Sequence, residues 1–541
     1  MKIVGSFLGI HDNGFSLIED NNILACYSDE RFSREKSCFR QYTFPQYSLD
    51  ALQNDFNINI LDKDIILASA KPIRIEQPEV VDIIMQRTIK LYSHQYSHAC
   101  GAYYTSGFDE DTLIISYDGG DCGDDNFTEI NKDNIDKYHP YKTNTYSGIY
   151  VVKDGKLIEV GKRQKHGSVA HLWPVFCQIF GLQHLKDEGK IMGLAAQGKY
   201  NNKIFKQLKY LANNDYYGSG WIMLYYYRDL LETLTEEEHW DLKRDLAYNL
   251  QLITELEIIK FIDIANLKYG KFKNLCVAGG VFANVKLNQK LNEELSFDNI
   301  WVYPAMSDEG LSLGSAIACG VEMGVFKNRR IENTFFGKNY TTVEINRYIE
   351  DFECDKKIVF QDLDYNKISE YLVDGKVIGI FDGASEYGPR ALGNRSIIVE
   401  PTKKETHEYI NMRLKRDEIM PFAPIILEEY IDDVCYYDKS KYSSEFMTMC
   451  YTVKDEWINK IPAVINTYDN TARPQVVNKD RHKIFHNILS HFNEITGVPV
   501  LMNTSFNGHG EPIINSPQDA LKHLFENTID YLIINNKIYN F

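Results

Sequence analysis

The sequence predicts an α/β protein built in two parts. Three observations carry this. Short apolar runs rich in β-branched residues stop at Asp or Gly, stretches with Leu, Ile and Glu at helical spacing lie between them, and one composition shift separates two sets of such signals. At 541 residues the chain exceeds a single core, and with 44% hydrophobic and 13% aromatic residues each part can bury its own. The expected parts are residues 1–335 and 345–541.

The opening MKIVGSFLGIHDNG is a short apolar run that meets His11 and Asp12 at once, which reads as a strand and not a signal peptide. GFSLIEDNNILACYSDE follows as two apolar stretches about an Asp-Asn-Asn turn. DTLIISYDGGD is a strand expected to end in Asp118, Gly119 and Gly120. Leu230 to Leu267 is expected to hold one long helical element, and NLCVAGGVFANVKLNQKL reads as strand, glycine turn, helix. In VYPAMSDEGLSLGSA a strand leads through a loop into a small-residue helix. KNRRIENTFFGKNYTT, from Lys327 to Thr342, is the linker, after which KVIGIFDGASEYGPRALGNRS and TGVPVLMNTSFN give the second set of strands and loops. The sequence shows neither an internal repeat nor a low-complexity tract.

A net charge of −17 argues against a nucleic-acid surface. No segment approaches the roughly 20 apolar residues of a membrane span. The ten cysteines, at 26, 38, 100, 122, 177, 276, 319, 354, 435 and 450, form no CxxC pair and read as reduced thiols. A cytoplasmic protein is expected.

Chemistry enters with LYSHQYSHACGAYY. His94 and His98 are four residues apart, the spacing that stacks side chains on one helix face. His482 and His486 share that spacing, so an acidic ligand must decide between the pairs. Asp118 and Asp308 stand at strand ends among glycines, where a backbone can approach a ligand, although either alone also reads as a turn or cap. His11 lies where a general base could stand, and Gly279–Gly280 is a tight turn and not a dinucleotide fingerprint. In the last third, Arg390, Arg395, Lys415, Arg416 and Arg473, with Asn503 and Ser505, sit among Gly, Pro and Ser. Guanidinium forks in such loops suit phosphate or carboxylate, with loop-holding salt bridges as the alternative.

Eleven segments in order, among them GIHDNGFSLI, SDERFSREK, SHQYSHACGAYYTSGF, SYDGGD, DEGKIMGLAAQG, AGGVFANVKLN, YPAMSDEGLSLGSA, EYGPRALGNRS, TARPQ and TGVPVLMNTSFNGHGEPI, cover nearly the whole chain. In this arrangement the chain resembles the O-carbamoyltransferases of the nodulation, cephem and tobramycin type. The resemblance implies an N-terminal actin/Hsp70/sugar-kinase-like (ASKHA) transfer domain and a C-terminal YrdC-like adenylation domain. The second would make carbamoyl-adenylate from carbamoyl phosphate and ATP/Mg, and the first would pass the carbamoyl group to an acceptor hydroxyl. By motif it implies His94, His98, Asp118 and Asp308 as ligands of iron(II), with other divalent metals also suited. It implies His11 as base and Lys36 near the transferred group. Gly279, Gly280, Asn284, Glu188 and Lys190 would hold the adenylate, and Arg390, Lys415, Arg473, Asn503 and Ser505 the phosphates. His482 and His486, without an acidic partner, are read as structural.

Two departures stand out. Met420 occupies the position before PFAP where the family usually has arginine, and NTYDNTAR puts Asn466 or Thr467 at a usual histidine and Asn470 at a usual glycine. Altered adenylation-site detail is expected. The acceptor is expected to be a small molecule carrying a sugar hydroxyl, bound by parts of residues 161–173 and 221–240, with neither nucleic acid nor membrane as partner and a homodimer as one assembly. Two rival readings are a tRNA threonylcarbamoyl-type enzyme, opposed by the acidic charge and the GPRALGNRS segment, and a non-catalytic ASKHA-fold binding protein, opposed by the intact His11, Lys36 and metal positions.

Overall fold

A computed structural model describes the chain except residues 10, 37–43, 124–125, 141–142, 165–167, 214–215, 356, 417–419 and 438–443. It forms two units: Met1–Asp29 with Ser37–Ile331, and Glu30–Lys36 with Glu332–Phe541.

The first unit holds two sheets. Strands β1 (Lys2–Phe7), β2 (Gly14–Glu19) and β3 (Asn22–Ser28) form an antiparallel meander, and β4 (Ile65–Ala70) and β5 (Ile89–Tyr92) extend it in parallel from β1. The edge is closed by the two-residue β7 (Glu129–Ile130). In the second sheet β6 (Thr112–Gly123), β8 (Thr143–Lys153) and β9 (Lys156–Gln164) are the meander, and β10 (Asn274–Ala278) and β11 (Asn299–Val302) add in parallel from β6. The strand orders are β3-β2-β1-β4-β5 and β9-β8-β6-β10-β11. Counted within each half, both read 3-2-1-4-5 with the same directions. The fold is therefore duplicated although the sequence reveals no repeat, because a shared topology requires only matching apolar alternation and not matching residues.

The hairpin turns at Asp20–Asn21, as expected, with Asp20 in the left-handed region at φ 51°. Two expectations are corrected. The strand containing Asp118 does not stop there: β6 continues to Gly123, with its register against β8 shifted between Tyr117 and Asp121. The aspartate thus projects from a bulge. The long helical element is present as Glu236–Tyr269, but it starts later than expected, because Thr235 and Glu238 form the reciprocal capping box at its head and Leu230–Glu232 ends the preceding Tyr216–Glu232 helix.

In the second unit an eight-stranded mixed sheet runs β12-β21-β20-β13-β14-β19-β15-β18. Its strands are β12 (Val359–Asp362), β13 (Ile378–Phe381), β14 (Arg395–Val399), β15 (Ala423–Leu427), β18 (Gln475–Val477), β19 (Val500–Ser505), β20 (Tyr531–Ile534) and β21 (Lys537–Asn540). The pair β16 (Tyr451–Thr452) and β17 (Thr471–Ala472) stands apart. Among the described residues no helix is long and apolar enough to cross a membrane, and eight cysteines are free thiols; Cys38 and the side chain of Cys122 lie outside what is described.

Candidate metal and transfer site

Ser93 starts the His94–Tyr104 helix by accepting the Tyr96 amide at 3.2 Å, which places His94 and His98 on its first two turns. Both imidazoles are buried. Asp118 arrives from the β6 bulge, and Asp308 begins the single turn that leads into the Leu311–Glu322 helix. That helix packs on β1 and on the His94–Tyr104 helix, and its Ser312 hydroxyl meets Ser16 of β2 at 2.8 Å.

One ligand atom from each of His94, His98, Asp118 and Asp308 lies within 4.8 Å of every other. His94 Nε2 is 3.3 Å from Asp308 Oδ1 and 3.6 Å from Asp118 Oδ2, while His98 Nε2 is 3.1 Å from Asp118 Oδ2 and 3.5 Å from Asp308 Oδ1. The other His94 nitrogen, Nδ1, faces the Lys71 carbonyl at 3.3 Å, an acceptor that requires Nδ1 to carry the proton. His94 Nε2 is thereby aimed at the two carboxylates. Burial and mutual repulsion would raise both aspartates, but the imidazoles hold Asp118 and Asp308 below the ordinary carboxylate range. Two buried carboxylates and two converging imidazole nitrogens need either protons or a cation between them. The donor set fits a divalent metal of the iron, manganese or zinc kind.

His11 joins this cluster. Its Nδ1 is 3.0 Å from Asp12 Oδ2 and its Nε2 is 3.9 Å from Asp308 Oδ2. Burial opposes its charge, but the Asp12 hydrogen bond and the charges of Asp12, Asp308 and Asp118 lift its pKa to about 9. Gly279 and Gly280 close the opposite side. The Gly280 amide donates to Asp118 Oδ2 at 3.3 Å, and Gly279 has φ 105° with Tyr117 O only 2.2 Å from where a Cβ would stand. Asn284, in contrast, spends its side chain on capping Leu287 and on two hydrogen bonds with Gln251. Glu188 accepts from the Leu185 amide, and Lys190 is 3.3 Å from Asp187.

In the second unit Asn503 and Ser505 lie on β19. Asn503 donates to the Ala391 carbonyl and to Gln475, both at 3.0 Å, which ties it to the neighbour of Arg390 and to the strand two residues after Arg473. Arg416 reaches Thr504 Oγ1 at 2.8 Å and the Ser505 carbonyl and hydroxyl at 3.0 and 3.2 Å, which brings its exposed neighbour Lys415 alongside. Arg395 takes the loop-holding alternative. It is fully buried and donates to the carbonyls of Asp382, Gly383, Asn394 and Lys338, with Phe381 stacked on it at 3.6 Å. Lys36 belongs to the second unit.

The control histidines do not share a helix face, since His482 precedes the Lys483–Thr496 helix and packs edge-on against Phe335. The expectation that this pair lacks an acid is corrected: His486 Nε2 lies 3.6 Å from Glu429. One half-exposed carboxylate makes no ligand set, and neither histidine belongs to a metal-suited group among the described residues.

Family models place the carbamoyltransferase N-terminus at residues 42–317 and the carbamoyltransferase C-terminus at residues 369–540. The chain belongs to the carbamoyltransferase family. It is 32% identical to the uncharacterized protein MJ1051 of Methanocaldococcus jannaschii, covering 97% of each chain. With nodulation protein NolNO of Sinorhizobium fredii it shares 28% identity, over 97% of this chain and 78% of that one. This makes the protein a carbamoyltransferase enzyme and sets aside the non-catalytic reading.

Several groups in this carbamoyltransferase escaped sequence reasoning. Asp12 was visible only as the neighbour of His11, and the Lys71 carbonyl carries no side-chain signal at all. His171, within the expected acceptor segment, lies against Gly119, and burial drives its pKa down to about 4 despite the Asp118 charge. A lone histidine at the end of a single turn offers no pattern to find. Residues 165–167 of that segment lie outside the described residues.

Proposed function

We propose that this carbamoyltransferase makes carbamoyl-adenylate from carbamoyl phosphate and ATP in its second unit, and transfers the carbamoyl group to an acceptor hydroxyl beside His11. The observation that carries this reading is the convergence of His94, His98, Asp118 and Asp308 with His11 at their edge. The duplicated 3-2-1-4-5 sheets support the ASKHA reading of the first unit, and the Arg390, Lys415, Arg473, Asn503 and Ser505 grouping supports phosphate binding in the second.

A divalent cation, iron(II) by resemblance, would polarise the carbamoyl carbonyl. By offsetting the charges of Asp118 and Asp308 it would also remove much of what raises His11, returning that imidazole toward the range of a base at neutral pH. His11 Nδ1–H then donates to Asp12, which leaves Nε2 to take the hydroxyl proton. The acceptor oxygen bonds to the carbamoyl carbon, the bond from that carbon to the adenylate oxygen breaks, and AMP departs with the electron pair. The acceptor is proposed to be a sugar hydroxyl of a small molecule.

Two variants separate the half-reactions. His94→Ala should lose bound metal and carbamoyl transfer, yet release pyrophosphate from ATP and carbamoyl phosphate. Arg473→Ala should keep its metal and lose pyrophosphate release roughly a hundredfold, the value of one charged hydrogen bond of about 3 kcal/mol. Full metal content in the His94 variant would sink the metal assignment, and pyrophosphate release at the normal rate would remove Arg473 from its role.

A further inference from the structure

The short Asp29–Ser33 helix and the residues after it are encoded between β3 and the Gln46–Phe56 helix of the first unit, yet Glu30–Lys36 belongs to the second. Two arginines fasten this segment. Arg31, 5% exposed, donates from Nη2 to the Gly388 carbonyl at 2.9 Å, and its Nε lies 3.3 Å from Glu30. Arg34 donates to the Ile513 and Pro512 carbonyls at 2.7 and 3.0 Å and faces Asp519 at 3.6 Å.

Arg31 grips a turn that carries an expected phosphate ligand, and Arg34 grips the loop that follows another. Gly388 sits at φ 108°, two residues before Arg390, and its peptide group decides where the Gly-Pro-Arg turn aims that guanidinium. The Pro512–Ile513 stretch closes the loop that leaves β19 after Ser505, and Ile514 returns to it through the Phe506 carbonyl at 2.9 Å. Arg31 is also costly where it stands. It is a buried cation close enough to Arg395 to lower that residue's pKa, and its Nη1 has no hydrogen-bond acceptor. A segment kept only for packing would not need two buried or half-buried guanidinium groups aimed at backbone carbonyls.

We infer that Arg31 and Arg34 are positioning residues of the adenylation site: Arg31 sets the turn bearing Arg390, and Arg34 sets the loop following Ser505. The inference rests on the proposed adenylation by the second unit. It makes Glu30–Lys36 part of the scaffold of that site.

The test measures carbamoyl-phosphate-dependent pyrophosphate release by the full chain. Arg31→Ala should raise KM for carbamoyl phosphate or ATP at least tenfold, with metal content unchanged. Methylguanidine added to that variant should restore part of the lost rate, which a merely structural defect would not allow. Should Arg31→Ala not fold, Arg31→Lys keeps the charge but loses the fork, and should show the same rise in KM. Arg347→Ala, an exposed arginine 3.5 Å from Asp351, is the unchanged control. Normal KM values and rate in a folded Arg31 variant overturn the inference while leaving adenylation standing. No pyrophosphate from the unaltered chain overturns the adenylation reading, and the inference with it.

Discussion

Gly279 shows how much one residue can constrain. Its φ of 105° and the 2.2 Å between a would-be Cβ and Tyr117 O make Gly279→Ala both strained and sterically blocked. We expect a loss of about 2–3 kcal/mol or more in stability, read as a lower thermal midpoint, and reduced metal content because the adjacent Gly280 amide supports Asp118. A midpoint equal to the unaltered chain's would refute this. At the same scale, spacing and residue type singled out the i, i+4 histidine pair and the two aspartates only as candidates, and the order of motifs along the chain grouped them. For Arg395 the sequence left two alternatives open, because its Gly- and Ser-rich surroundings look the same whether a guanidinium faces phosphate or four backbone carbonyls. Asn284 has a similar ambiguity, since an asparagine before a helix reads equally as ligand or cap.

Among elements, the Lys483–Thr496 helix carries the clearest pH signature. Burial, followed by the Arg481 charge, lowers the His482 pKa from 6.5 to about 4. The unfolded chain accepts a proton near pH 6.5 that the folded chain refuses until about pH 4. The contribution is therefore fully present above pH 6.5, is lost as pH falls through that window, and changes no further below it. The loss is on the order of 3 kcal/mol. His482→Gln should flatten the fall in unfolding free energy between pH 7 and 4 without changing metal content, and an unchanged slope in denaturant titrations would disprove it. Elements with their own turn chemistry were readable, as at the Asp20–Asn21 hairpin. The continuation of β6 past Asp118 was not, because its register shift depends on pairing with β8, thirty residues away in no local pattern.

For the whole molecule, two units were legible from one composition shift, while the doubled topology of the first was not, since divergent residues can satisfy one strand order. The two halves of that doubling share the candidate centre: His11, His94 and His98 come from the first sheet's side, and Asp118 and Asp308 from the second's. A bound cation would thus bridge them. Removing it with a chelator should lower the thermal midpoint, by the equivalent of about 2.7 kcal/mol at a metal concentration 100 times Kd. A midpoint indifferent to chelator and to added metal would remove the bridge.

The excursion of Glu30–Lys36 also has a consequence during synthesis. Strands β1 to β3 can pair as soon as they leave the ribosome, but the acceptor for Arg31 is made 357 residues later and that for Arg34 479 residues later. Two of the chain's earliest cations must wait through most of translation beside a meander that has already closed. Contacts this distant are slow to form, and until they do the two guanidinium groups stay without the carbonyls that completion of the second unit supplies.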